Sequence, residues 1–287
     1  MADDDSSDDR RQPAELLRLM SEHPGMEAVQ LGQGVRRSLE AVRGNADELV
    51  RWIDLLNQGN AGMLIMAQGG IVEPGDGITE YLDELSRLWH NFIASAMTLV
   101  THVTRVRKKQ SAEFQAAYDQ ARQELLSDPV VAFVQGLRNY WLHKWTPSNF
   151  VRMKFGRDAP LTYVVGCASD ALLEEWEWTA PQRVYLQERD EFVLRDSVIE
   201  YVEHIDHFYE WFKEAYHAEH AEAFESLTAL EGEYDEQVPQ PAPVFGDHLP
   251  YSEETLRAVL LAGHEPAPRL WKRVSMRLRS RSRRRRK

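Results

Sequence analysis

From Ile78 to Arg107 the chain holds one apolar period without a break. Ile78, Leu82, Leu85, Trp89, Phe92, Ala96, Leu99, Val103 and Val106 follow one another at steps of three or four residues. That step puts side chains on a single face of an α-helix. Thirty residues at 1.5 Å each make a rod of roughly 45 Å. A rod with one apolar stripe buries that stripe only against neighbouring helices, so this segment predicts a helical bundle.

The flanking sequence supplies the neighbours. Pro13–His23 predicts a short helix with Leu16, Leu17 and Met20 on one side. Val35–Leu56 has helical spacing, with Gly44 expected to break or bend it. Gly59–Gly77 contains six of the 16 glycines and predicts a loop around the apolar patch Met63–Met66. It lacks the Gly-Lys-Ser/Thr ending of a phosphate-binding loop, which argues against nucleotide binding there. Ser111–Leu126 predicts a helix. Asp128-Pro129 predicts the start of the next, with Asp at the N-cap and Pro in the first turn. That helix carries the stripe Val130, Val134, Leu137, Trp141 and Trp145 and is stopped by Thr146-Pro147.

Phe150–Cys167 changes character, with apolar runs on either side of Gly156-Arg157-Asp158, and predicts a short hairpin. Short helices are expected from Ser169 through Trp176 and near Pro181, and one long helix over Val193–Tyr234. Four prolines between Gln237 and Pro250 mark a linker, and one more helix is expected over Ser252–Ala262. The expected fold is therefore mainly α: an up-and-down helical bundle with a short β-hairpin-like excursion and disordered termini. Its parts are an acidic leader (1–12), N-terminal helices and a Gly-rich loop (13–77), the bundle (78–235), a Pro-rich linker and short helix (236–268) and a basic tail (269–287).

Composition narrows the setting. An apolar fraction of 43% with 28 aromatic residues is enough for a sizeable core in 287 residues. No apolar run reaches the roughly 18 residues a membrane-spanning helix needs, and Met1–Arg11 does not read as a secretory signal. A single cysteine, Cys167, excludes an intrachain disulfide framework and is read as a small buried residue. These points suggest a cytoplasmic protein. The net charge is −12, yet Arg269–Lys287 holds 11 Lys or Arg and no acid, leaving the remainder near −23. An acidic body with a basic tail does not coat nucleic acid all over; contact with a polyanion should be local. Leu270, Trp271, Val274 and Leu278 give the tail an apolar side, so it suits either RNA or an anionic membrane surface.

Few residues carry chemistry. No nucleophile motif surrounds Cys167. His204/His207 and His217/His220 are pairs three apart near Glu203, Asp206 and Glu219, a spacing that can share a metal. A charged helix produces such pairs freely, and no His-Glu-x-x-His occurs, so no metal and no cofactor are expected. The remaining constellation is Arg138-Asn139-x-x-x-His143 near the end of a well-capped apolar helix, where polar groups must find partners. Asn139 and His143 share a face, while Arg138 is about 140° away from His143. A second Arg/His pair at the same spacing, Arg18/His23, serves as a control.

Arg-Asn-x-x-x-His at a helix end resembles the motif of the HEPN superfamily. The stretch His90–Ala96 with Thr98-Leu99-Val100, His102 and Arg105 is similar to the preceding long helix of HEPN-like bacterial proteins, and Val198–Val202 with Phe208–Trp211 to their closing helix. The likeness covers roughly residues 78–218. It implies an up-and-down bundle that pairs as a homodimer and, in active members, a metal-independent endoribonuclease of toxin or antiviral defence type. It further implies His143 as general acid or base, Arg138 on the scissile phosphate and Asn139 orienting either. His102 and Arg105 would be substrate-binding residues, RNA the partner, and an antitoxin a further one. The alternative implied by the family's inactive members is a non-catalytic HEPN-like dimerisation or partner-binding module.

Overall fold

The computed structural model of the protein describes residues 11–68, 77–144, 149–155 and 161–238. Among them are ten α-helices and one three-stranded antiparallel sheet. Helices α1 (Pro13–Glu22), α2 (Pro24–Asp54), α3 (Ala61–Gln68), α4 (Ile78–Arg107), α5 (Ala112–Ser127) and α6 (Pro129–His143) precede strands β1 (Asn149–Lys154) and β2 (Thr162–Ala168). Then come α7 (Ser169–Glu175), α8 (Ala180–Gln187), β3 (Glu191–Val193), α9 (Leu194–Glu219) and α10 (Ala221–Gln237). Contacts divide the chain into Met1–Glu233 and Tyr234–Lys287; of the second unit, the described part is the end of α10 and Val238. Most of the leader, the Pro-rich linker, the Ser252–Ala262 segment, the basic tail, Gly156-Arg157-Asp158, Trp145 and Thr146-Pro147 lie outside the described residues.

The frame is α2 lying along α4, with α9 against α2 and α6 against α4. The α4 stripe is buried as its period requires from Leu85 to Val106, except that Tyr81 replaces Leu82 and Ile78 at the first turn. Tyr81 is held by Trp52 of α2. The rings stack at 5.5 Å, Trp52 Nε1 donates to the Tyr81 carbonyl at 3.2 Å, and the Tyr81 hydroxyl donates to the Trp52 carbonyl at 3.3 Å. Two buried polar groups thus satisfy each other's backbone while their rings contribute to the core.

Several expectations need correction. α2 runs unbroken through Gly44. Its apolar residues on both sides (Val35, Leu39, Val42, then Ala46, Leu49 and Ile53) stay in phase and buried, and that burial outweighs the roughly 1 kcal/mol cost of a helical glycine. The Met63–Met66 patch is helical in α3. Ile65 is buried, and Gly62 lies so close to the Leu56 carbonyl and the Tyr163 ring that a Cβ there would stand 2.2 Å and 2.4 Å from them. The expected long final helix is two, because the chain turns at His220. A third strand, β3, pairs with β2 beside the expected hairpin. Gly166 permits that pairing, since a Cβ would stand 2.1 Å from the Phe192 carbonyl.

The control pair falls in an ordered region. Leu16 and Met20 of α1 are buried, although Leu17 faces solvent. His23 caps α2: its Nδ1 accepts from the Gly25 amide at 3.0 Å, so its Nε2–H is directed at Ser226 Oγ, 3.3 Å away. Even Arg11, at the end of the leader, pairs with Glu233 at 3.5 Å. His23→Ala is expected to cost about 1 kcal/mol, the usual loss for an N-cap. Urea denaturation measures this, and unchanged stability would show that the cap contributes nothing.

Candidate functional site: the end of the Arg138–His143 helix

α6 is built from its start as the sequence suggests. Asp128 Oδ1 accepts from the Val130 amide at 2.9 Å and the Val131 amide at 3.4 Å, and Pro129 occupies the first turn. Gly136 lets α8 close on it. The Gln182 side chain lies 2.5 Å from where a Cβ would be, donating to the Ala132 carbonyl at 3.1 Å and accepting from the Thr179 amide at 2.9 Å. The inward face of α6 carries Phe133, packed among Trp178, Tyr185 and Phe192 with ring centroids 5.0–5.2 Å away. Tyr140 stacks on Trp178 at 5.7 Å, and its hydroxyl donates to Glu175. Burial, then the Glu175 carboxylate, holds the Tyr140 phenol well above its ordinary range.

With Phe133, Leu137 and Tyr140 turned inward, Arg138, Asn139 and His143 are exposed. They do not share one cleft. Arg138 lines an open cleft of about 450 Å³ between α4 and α6, together with His90, Thr98, Thr101, His102 and Trp141. It makes no hydrogen bond or ion pair with the described residues, and neither does Asn139. His143 is outside that lining. Its ring lies flat on Trp176, 5.8 Å away and inclined by 9°. The 140° separation of Arg138 and His143 on the helix thus becomes a separation between two neighbourhoods: α4 on one side, the α7 end on the other.

Of the two residues expected to bind substrate, His102 lines the cleft and Arg105, though exposed, does not. His102 is held in place, with its Nδ1 2.6 Å from Ser38 Oγ. His90 also lines the cleft, its ring edge-on to Trp141 at 5.8 Å. In the sequence it figured only as the first residue of the stretch His90–Ala96, with no role assigned to it. Trp176 could not have been linked to His143 from the sequence, because 32 residues, two strands among them, separate the two.

The large apolar side chains at the end of α6 are mostly used within the chain. Leu137 and Tyr140 are buried, and Trp141 packs its edge against Trp89 at 4.7 Å. Leu142 remains, 64% exposed.

Three of the four histidines spaced for a shared metal meet other groups. His204 lies 3.2 Å from the N-cap Asp128, and His217 contacts Phe224. Among the described residues no group of three or more His, Cys, Asp or Glu is placed to hold a metal ion. Cys167 is buried, donates to Asn149 Oδ1 at 3.2 Å, and is pushed up to about 12 by burial and Glu175, so it is a neutral thiol.

His220 closes the α9–α10 turn. Gln110 directs its amide N–H to the Val106 carbonyl at 2.9 Å, so its oxygen accepts from His220 Nε2–H at 2.7 Å. Burial lowers the His220 pKa from the usual 6.5, with Glu219 opposing. Below about 6.5 the unfolded chain gains a proton that the folded chain resists. The stabilisation is therefore complete above that pH and is lost as pH falls through the lowered value. Urea denaturation at neutral pH and about one unit below 6.5 should show a smaller loss on acidification in His220→Gln than in wild type. An equal loss in both would refute the assignment.

No described helix is long and apolar enough to cross a membrane. Compared with known proteins, the chain matches no family model, no curated protein and no solved structure.

Proposed function

We propose that this protein is a HEPN-like, metal-independent endoribonuclease of a toxin or antiviral defence type, acting as a homodimer. The supporting observation is that Arg138 and Asn139 are exposed and unpartnered among the described residues and that His143 is exposed, at the end of a helix whose other face is fully packed. A motif kept for structure would be tied into the fold. In the reaction, His143 takes the proton of the ribose 2′-OH. The 2′-oxygen attacks the adjacent phosphorus and the 5′-oxygen leaves with the proton that the His143 imidazolium gives back, so that a 2′,3′-cyclic phosphate and a 5′-hydroxyl form and His143 returns to its neutral state. Arg138 binds the phosphate and stabilises its developing charge, and Asn139, one turn before His143, orients the imidazole. Because Arg138 and His143 of one chain face different neighbourhoods, the complete set forms when two α6 helices pair about a two-fold axis. The basic stretch 269–287 offers RNA a second, electrostatic contact.

A second reading has its own observation: the His143 ring lies flat on Trp176, outside the cleft that Arg138 lines. This favours a non-catalytic partner-binding module, an antitoxin being one such partner. Incubating a mixed RNA pool in EDTA with wild type and His143→Ala separates the two. Cleavage by wild type alone supports the enzyme; equal behaviour sinks it. Light scattering showing only monomer at tens of micromolar would count against the dimer.

A further inference from the structure

The α4–α6 cleft combines features that point to one kind of ligand. Its lining includes Arg138, His90 and His102 but no carboxylate, in a chain with 46 acidic residues and a net charge of −12. Thr98 and Thr101 are exposed along it, their hydroxyls donating to the backbone carbonyls of Ala94 and Met97 at 2.9 Å. Trp141 and His90 set two rings edge to face at one end. His90 and His102 are twelve residues apart on α4, roughly 18 Å along the axis. Such a trough suits an extended ligand bearing several anionic groups and planar rings better than a single small anion.

His102 adds a specific contact. The Ser38 hydroxyl has one proton and directs it to the Gly34 carbonyl at 2.9 Å, the usual back-bond of a helical serine. The 2.6 Å contact with His102 is then Nδ1–H donating to Ser38 Oγ. The neutral ring therefore carries its proton on Nδ1 and presents a bare Nε2 acceptor, its orientation set by a residue of another helix.

We propose that the α4–α6 cleft is a binding trough for single-stranded RNA, in which Arg138 anchors a phosphate and His102 Nε2 accepts a hydrogen bond from a ribose 2′-OH. The proposal rests on the RNA-cleavage reading and assigns its substrate a path. The 2′-OH is the group that distinguishes RNA from DNA at a given site, so His102 is a residue that sets this preference.

The test uses the full-length protein carrying His143→Ala, an RNA dodecamer containing 4-thiouridine, and a DNA of matching sequence containing 4-thiothymidine. Photocrosslinks should map to peptides of α4 and α6. Arg138→Ala should weaken RNA and DNA binding alike, about tenfold, and lower the salt dependence by about one phosphate contact. His102→Ala should weaken RNA about tenfold and leave DNA unchanged, the loss of one hydrogen bond. Arg51→Ala, at an exposed arginine outside the trough, should change neither. Crosslinks confined to residues 269–287 or to any surface other than α4 and α6 overturn the trough, as does an Arg138→Ala variant that binds both strands like its parent. A His102→Ala variant that loses RNA and DNA equally overturns the 2′-OH contact. The DNA cannot be cleaved through a 2′-OH, so binding is read whether or not the protein is a nuclease. A wild type that crosslinks in the trough yet never shortens RNA leaves this proposal standing and removes the catalytic one.

Discussion

Removing the His143 imidazole is expected to lower RNA cleavage in EDTA by about 10²- to 10⁴-fold, the usual contribution of a positioned general acid or base. Arg138→Ala should lower it by about 10²- to 10³-fold, the scale of losing one donor to a developing oxyanion. If both act on one phosphate, as proposed, the double variant should fall little further than the worse single one. Folding is not expected to limit either variant, since both side chains are exposed and neither forms an internal hydrogen bond or ion pair with the described residues. His23→Ala is a useful contrast: it should lose stability through its cap but keep the cleavage rate. If Arg138→Ala and His143→Ala cleave like wild type, the motif is not catalytic. If Arg138 of one protomer works with His143 of its partner, mixing the two inactive single variants should restore activity, because one interface then holds an intact Arg138 and an intact His143.

Phe133→Ala should be the most destabilising single change in the α6 layer, by about 3–5 kcal/mol. Phe133 is fully buried and touches three aromatic rings from two other elements and the loop before α8. Alanine would leave a cavity between α6, α8 and β3 that large neighbouring rings cannot collapse to fill. Against a total stability of about 5–15 kcal/mol, the loss should move the urea midpoint far down and weaken the seating of α6, on which the exposed motif depends. A loss below about 1 kcal/mol would show that the aromatic cluster is not the anchor of this helix.

The helical layers were legible because burial in a bundle leaves a periodic mark on each segment. α4 needed only its own residues to be read, and α6 announced its cap and, from Val130 to Leu137, its stripe; beyond Leu137 Tyr140 takes the buried place expected of Trp141, which is half-buried. The break at His220 left no such mark: no Gly or Pro stands there. It arises because Glu219 accepts from the Ser111 amide and hydroxyl, at 2.8 Å and 3.0 Å, while His220 turns to Gln110. β3 was equally hidden, since three residues carry too little alternation to show a strand.

The same division holds for the candidate site. Sequence alone determined that Arg138, Asn139 and His143 share a short stretch of helix, that Arg138 and His143 are about 140° apart, and that the opposite face is apolar; these follow from the geometry of one helix. Which neighbours each side chain meets was decided only by tertiary structure. Packing of Phe133 on α8 and β3 and of Tyr140 on Trp178 sets the rotation of α6, and that rotation places Arg138 in the cleft with His90 and His102 of α4 and His143 against Trp176. A helix specifies angles about its own axis, but the direction from which those angles are counted comes from the elements that bury it.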